Sequence, residues 1–222
     1  MVFGKTVADM TTEHDLERFS SSLSIRTTRL LSTLFVLDDN IPFHATRILL
    51  LIKLAGRPIS NPRIEGRTKL AKLDFFVRYP QFLDNAARLL LSRENYETIH
   101  PSLIQVPTIE SHMIRYRYGP WDQRYYLVLA YLSGKGLIEI HPIDKVDQYN
   151  LTENGNTLAS RLKELGEFNN IVARSRLVGE MFGQRTGTWI KKFIYRNFPE
   201  VVRTPYTHLI AATSEEGENK DE

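Results

Sequence analysis

The stretch from Trp121 to Leu165 constrains this chain more than any other, because three different local patterns follow one another within it. Asp122 precedes a continuous apolar run from Tyr125 to Leu132 and is placed to cap a helix that continues to about Ser133. Gly134-Lys135-Gly136 then ends that helix, since glycine takes a positive φ without a Cβ clash. Leu137-Ile138-Glu139-Ile140 and Tyr149-Asn150-Leu151 are strand-like, and the polar tip between them, residues 141–147, makes them a predicted hairpin. Thr152 caps a further helix, in which Leu158, Leu162 and Leu165 recur at four- and three-residue spacing on one face.

Helix, glycine stop, two-stranded flap and capped helix is the order of a winged helix, and a plain helical bundle would not generate it. The predicted fold is mainly α with a small β-hairpin wing: a winged helix-turn-helix core with N- and C-terminal helical extensions. Residues 1–41 form a helical arm, with Leu16, Phe19, Leu23, Leu30, Leu31 and Leu34 near helical spacing, and the core domain covers residues 42–165. Within it, Pro42 opens a helix over residues 44–55 whose Ile48, Leu49, Leu51 and Ile52 leave little polar surface, and Gly56 with Pro58 stops it. Residues 67–79 follow as a helix burying Leu70, Leu73, Phe76 and Val77 and turning Arg67, Lys69, Lys72 and Arg78 largely to the other side. Pro80 ends it, an amphipathic stretch occupies residues 82–91, and the aperiodic residues 95–110, with Pro101 and Pro107, are predicted to be an inserted loop. After a strand-like piece over residues 113–118 and the hairpin region comes a C-terminal helical extension, residues 166–211, with helices over 168–182 and 188–198. The acidic tail, residues 212–222, is predicted to be disordered.

Several chemistries are unavailable to this sequence. Without cysteine there is no disulfide framework, thiolate zinc site or cysteine nucleophile. No two of the six histidines have the i, i+4 spacing that sets two imidazoles on one metal, and neither a Gly-Lys-Ser/Thr phosphate loop nor a Gly-x-Ser-x-Gly turn occurs. No catalytic residue, cofactor or metal is therefore expected. Residues 1–12 lack a secretion-signal pattern and the longest apolar run, residues 48–52, is too short to cross a bilayer, so a soluble cytoplasmic protein without membrane contact is expected.

The formal charge of +3 hides an uneven distribution. Residues 57–93 hold eight Lys or Arg against three acids, residues 171–203 seven against two, and the tail from 215 onward five acids and one lysine. Such a body suits an anionic partner. The candidate phosphate contacts are Arg63, Arg67, Lys69 and Lys72, then Arg115 and Arg117 interleaved with tyrosines, then Lys191, Lys192 and Arg196. The helix before the wing, by contrast, is too apolar to read base edges, which calls for Arg, Lys, Asn or Gln. Tyr125 and Tyr131 on it, with Trp189 and Phe193 near the C-terminus, are instead candidate protein contacts, the competing reading of the tyrosines being that they complete the core.

The run Arg47-Ile-Leu-Leu-Leu-Ile, the segment Thr68-Lys-Leu-Ala-Lys-Leu-Asp-Phe-Phe-Val-Arg-Tyr-Pro, and Gly136-Leu-Ile-Glu-Ile followed by Tyr149-Asn-Leu-Thr-Glu-Asn-Gly together resemble the winged-helix middle component of three-component SMC-like ABC ATPase systems, the Lamassu-type bacterial antiphage defences. The resemblance covers about residues 42–165. It implies a non-catalytic accessory subunit that bridges the SMC-like ATPase and an effector of the nuclease type and helps hold DNA through its backbone. The alternative is a stand-alone winged-helix transcriptional regulator or antitoxin-like DNA-binding protein, a homodimer through its terminal helices.

Overall fold

A computed structural model describes residues 40–104 and 113–210 of the chain, and the side chains of residues 100–104 are not described. The predicted arm up to residue 39, the acidic tail and residues 105–110 of the predicted insertion lie outside those residues.

Helix α1 spans Ile41–Ala55. Pro42 is tolerated in its first turn because an N–H there has no intrahelical acceptor. Six consecutive positions, from Arg47 to Ile52, are buried, so the helix is covered on every side. A short strand β1, Arg63–Glu65, leads into α2, Arg67–Arg78, and α3, Pro80–Leu90. α2 packs against α1, α3, β1 and β3 (Gly119–Trp121) and against the later helices α7 (Asn169–Phe182) and α8 (Gly187–Asn197), which makes it the hub of the core. That position corrects the two-sided picture of α2: Lys72 and Arg78 are as buried as Leu70 and Phe76.

Residues 93–104 are not a loop. They form helix α4, Arg93–Ile104, which packs on α3 and α7. Its apolar signal is short, Tyr96, Ile99 and Leu103 at three- and four-residue spacing with Pro101 between, and local polar contacts support its start: Ser92 Oγ accepts the Asn95 N–H, Arg93 pairs with Glu97, and the Thr98 hydroxyl donates to the Glu94 carbonyl. Tyr96 and Ile99 pack against the core.

Strands β2, Ile114–Tyr116, and β3 form a two-stranded hairpin in which Tyr116 lies opposite Gly119 and Ile114 opposite Trp121. Helix α5, Tyr125–Gly134, follows. Asp122 does not cap it as expected. Its carboxylate accepts the Arg124 N–H and is drawn to two guanidinium groups, so the helix starts later, at Tyr125. The glycine stop is as expected: Gly136 has φ 64°, and Leu137 N–H reaches back to the Leu132 carbonyl at 2.9 Å.

Strands β4, Ile138–Ile143, and β5, Val146–Leu151, are longer than the sequence suggested, and the tip shrinks from seven residues to Asp144 and Lys145, both at positive φ. Positive φ at both central residues suits a two-residue turn to the right-handed twist of the strands. β5 pairs with β1 on its other side, so the sheet has three antiparallel strands in the order β1-β5-β4. The Thr152 hydroxyl accepts the Gly155 N–H at 2.9 Å and caps α6, Glu153–Leu162. The buried face of α6 is Gly155 and Ala159, with Leu158 and Leu165 exposed, contrary to the leucine stripe expected. A Cβ on Gly155 would lie 1.9 Å from the Leu137 carbonyl oxygen, and this close approach selects the small face over the large one.

A 3-10 turn, Gly166–Phe168, precedes α7 and α8, and α9, Pro199–Arg203, follows them. Their aromatic rings join those of α2 and α3: Phe76 stacks on Phe182 at 4.5 Å, and Phe198 meets both Phe76 and Phe82 edge-on. Pairs of this kind contribute about 0.5–1.5 kcal/mol each beyond the area they bury. The protein is thus mostly helical with one small antiparallel sheet and a separate hairpin, and among the described residues no helix is long and apolar enough to cross a membrane.

Candidate functional site

The densest polar cluster is inside the protein. Arg47 on α1 grips Asp74 on α2 with two hydrogen bonds, Nε to Oδ1 at 2.8 Å and Nη2 to Oδ2 at 3.2 Å. The Tyr125 hydroxyl donates to the same Asp74 Oδ2 at 2.7 Å. Arg78 lies between Asp74, 3.9 Å away, and Asp122, to which it donates at 2.8 Å, and Arg124 donates to Asp122 from the outer side. His44 completes the row, with Nδ1 3.0 Å from Arg47 and Nε2 3.3 Å from Arg124. Burial alone would raise the Asp122 pKa, but the Arg124 hydrogen bond and the Arg78 charge outweigh it and hold the carboxyl well below the usual carboxylate range. Burial raises the Tyr125 pKa, and Asp74 raises it further, so the phenol stays a donor. The network ties α1, α2 and α5 together, and none of its members lines either cleft described next.

The first cleft, of about 490 Å³, lies between the start of α2, the β2–β3 hairpin and the start of α5. Tyr116, Tyr118, Trp121 and Tyr126 give it aromatic walls, with Arg67, Thr68, Gln123 and the backbone of Gly119 and Pro120 between them. Trp121 links the rings, tilted against Tyr116 at 6.3 Å and edge-on to Tyr126 at 6.0 Å. Cations cover the outer rings: Arg67 lies 4.7 Å over Tyr126, while Arg117 and Lys191 lie 5.7 and 5.4 Å from Tyr118. Arg67 also meets Asp147 of β5, at 3.7 Å.

A second, smaller recess of about 210 Å³ is bordered by Arg57, Arg63, Glu65, Lys69 and Arg185 near the start of α8. Its cations are largely committed. Arg57 donates to the carbonyls of Gly56 and Gly179, Lys69 Nζ to the carbonyl of Gly183, and Arg185 covers Trp189 at 4.7 Å. Burial lowers the Lys69 pKa against the opposing pull of Glu65.

These placements sort the residues named from the sequence. Lys72 is 3% exposed, its ammonium is bonded to the Thr68 carbonyl, and burial with Lys191 nearby lowers its pKa to about 8, so it is not a phosphate contact. Lys69 is half-buried and bonded as above. Arg63 is half-buried on β1, on the same side of that strand as Glu65. Arg115 donates to the Thr204 carbonyl and lies 4.6 Å over Tyr206, a bridge between β2 and the end of the described chain. Arg117, Lys192 and Arg196 are open to solvent, and Arg67 and Lys191 are half-open beside the first cleft.

Of the expected protein contacts, Tyr125 is 2% exposed and belongs to the core, because Asp74 captures its hydroxyl. Phe193 is packed on Phe182, Phe198 and Phe76, and Trp189 stacks on it at 5.4 Å, so both form the rim of the aromatic core. Tyr131 is half-exposed under Lys135. The large apolar residues of α5 that do face solvent are Tyr126 at 59% and Leu127 at 57%, neither of them among the expected contacts. Helical spacing from the buried Tyr125, Val128, Leu129 and Leu132 could have found them. Tyr116 and Tyr118 offer only the cue of alternation with Arg115 and Arg117, and Trp121 follows Gly119-Pro120 without it.

No family model, curated protein or solved structure matches the chain.

Proposed function

We propose that residues 42–165 form a winged helix that serves as a non-catalytic docking subunit, holding an SMC-like ATPase and a nuclease-type effector together, with DNA backbone touched from its cationic side. The element order supports the winged-helix reading: α1, β1, α2, then α5 and the β4–β5 hairpin, with the sheet ordered β1-β5-β4. In that arrangement α5 takes the place of the groove-reading helix, and β4–β5 that of the wing.

The composition of α5 carries the functional reading. From Tyr125 to Gly134 it contains no Arg, Lys, Asn or Gln, and its exposed side chains include Tyr126 and Leu127. The wing likewise exposes Ile140, Ile143 and Val146. A duplex groove is lined with hydrogen-bonding base edges and phosphates, which such a face leaves unanswered, whereas a protein partner can bury it. The same observation weighs against a stand-alone operator-reading regulator. Arg117, Lys192 and Arg196 remain as sequence-indifferent phosphate contacts.

Co-purification of the tagged full chain with the products of its neighbouring genes tests this. Recovery of a coiled-coil ABC ATPase is expected, and Leu127→Glu with Ile143→Glu should abolish it while leaving the circular dichroism of the chain unchanged. Recovery of the chain alone, or an ATPase that stays bound to the double variant, would end the docking reading.

A further inference from the structure

The cleft between α2, the β2–β3 hairpin and α5 has a composition that the docking face lacks. Four aromatic side chains line it with Arg67, Thr68, Gln123 and the Gly119-Pro120 stretch, and among the described residues no carboxylate does. Tyr116 and Tyr118 are 47% and 51% exposed, a large apolar area left in water on a hairpin of six strand residues. The register explains the opening: Tyr116 stands opposite Gly119, whose missing side chain leaves the ring uncovered across the ladder. The floor is firm, because Trp121 is wedged edge-on against the buried Tyr125, itself fixed by Asp74. Cations stand at both ends of the aromatic row, Arg67 at Tyr126 and Arg117 with Lys191 at Tyr118.

Flat rings with an acid-free wall and positive charge at each end are complementary to a ligand that is itself flat and carries anionic groups beside its rings. We propose that this cleft takes an unstacked nucleobase of a single-stranded nucleic acid between Tyr116, Trp121 and Tyr126, with the adjoining phosphates on Arg67 and on Arg117 with Lys191. A volume of about 490 Å³ fits a ligand of nucleotide size. Duplex DNA cannot use the site, since its bases are stacked away from side chains. Base stacking on aromatic side chains is tolerant of sequence, because every base offers a π-face. The Arg67–Asp147 pair, long and surface-exposed, leaves the guanidinium available to a phosphate. A proline-rich peptide also docks on aromatic grooves but gives no role to cations at both ends. The site shares Tyr126 with the proposed docking face but not Leu127 or Ile143, and it is assayed on the purified chain without any partner.

Trp121 reports on the cleft directly, because the chain has only one other tryptophan, Trp189. In a full-length Trp189→Phe protein, an oligothymidylate of about twelve residues should quench Trp121 emission saturably at about 50 mM salt, with affinity falling by a log–log slope of about 0.7 per phosphate engaged. Tyr116→Ala with Tyr118→Ala should weaken binding roughly tenfold or more with unchanged circular dichroism, as stacking losses of this size are usual. Arg67→Ala with Arg117→Ala should flatten the salt slope. Thymidine monophosphate as a separate probe tells the two sources of the chemistry apart: quenching as tight as the oligomer's assigns the site to a free nucleotide, and much weaker quenching assigns it to a strand. The proposal is overturned if an abasic phosphodiester strand binds as well as oligothymidylate, if the tyrosine double variant keeps full affinity, if a proline decamer quenches where the oligomer does not, or if none of these probes binds at all.

Discussion

Arg67 and Arg78 open and close the same helix, yet they live in different solvents. Arg78 is enclosed, held between Asp74 and Asp122, and its neighbours are the groups that lock three helices together. Arg67 is half-open, meets Asp147 only at 3.7 Å and rests on the face of Tyr126 at the mouth of an aromatic cleft. The contrast shows that positive charge along a sequence mixes two populations: cations whose carboxylates are inside the protein, and cations whose anions must come from elsewhere. Only the second population can recruit a ligand. Burying the first is tolerable because each charge meets a partner in hydrogen-bonding geometry, and removing one partner is far costlier than leaving the pair in place.

The sharpest way to break the comparison is Asp74→Ala. It strips Arg47 and the Tyr125 hydroxyl of a shared acceptor and Arg78 of a nearby counter-charge at once, and a loss of about 3–5 kcal/mol in denaturant-unfolding stability is expected. A loss near that of an ordinary surface substitution, about 0.5 kcal/mol, would mean that the interior charges are not what fastens α2 to its neighbours.

Acid titration gives a smaller effect with a definite sign. Burial opposes ionisation of Asp122, but Arg124 and Arg78 more than compensate, so its folded-state pKa lies below the unfolded one. Its contribution is therefore complete above about pH 5 and is lost as pH falls through the unfolded and then the folded value. Asp122→Asn should flatten that part of the stability profile measured by thermal unfolding, and an unchanged slope would assign the acid sensitivity to other carboxylates.

Lys72 yields the smallest change. Its pKa is lowered to about 8 mainly by burial, so the unfolded chain holds the proton more firmly and stability should rise as pH climbs from about 8 to 10.5. Lys72→Met removes the buried charge and should be neutral or stabilising by about 1 kcal/mol, with no change in the salt dependence of DNA binding. Arg67→Ala, by contrast, should alter that salt dependence while shifting stability by less than about 1 kcal/mol, the range of an exposed cation–π contact. If Lys72→Met weakened DNA binding as much as Arg67→Ala, the division into interior and available cations would fail.

Local signals carried much of the fold. The α1 stop at Gly56, the Gly136 helix end and the Thr152 cap each depend on residues within one turn or one hairpin, and each stands where the residue types put it. Where the structure differs, the signal was short or came from elsewhere in the chain. Helix α4 has only a short apolar spacing interrupted by Pro101, β3 contains a proline and pairs because Ile114–Tyr116 lies alongside, and β1 exists through its ladder with β5. The leucine stripe of α6 was overridden by the contact between Gly155 and Leu137.

What the sequence settled alone is the succession of helices, glycine stop, hairpin and capped helix, and the absence of groove-reading side chains on α5, because both follow from neighbours along the chain. What only the tertiary structure decided is which cations are spent inside and which face the cleft. Arg47 finds Asp74, Arg78 finds Asp122 and Tyr125 finds Asp74 across long separations in sequence, and no local periodicity encodes a partner that arrives from another helix.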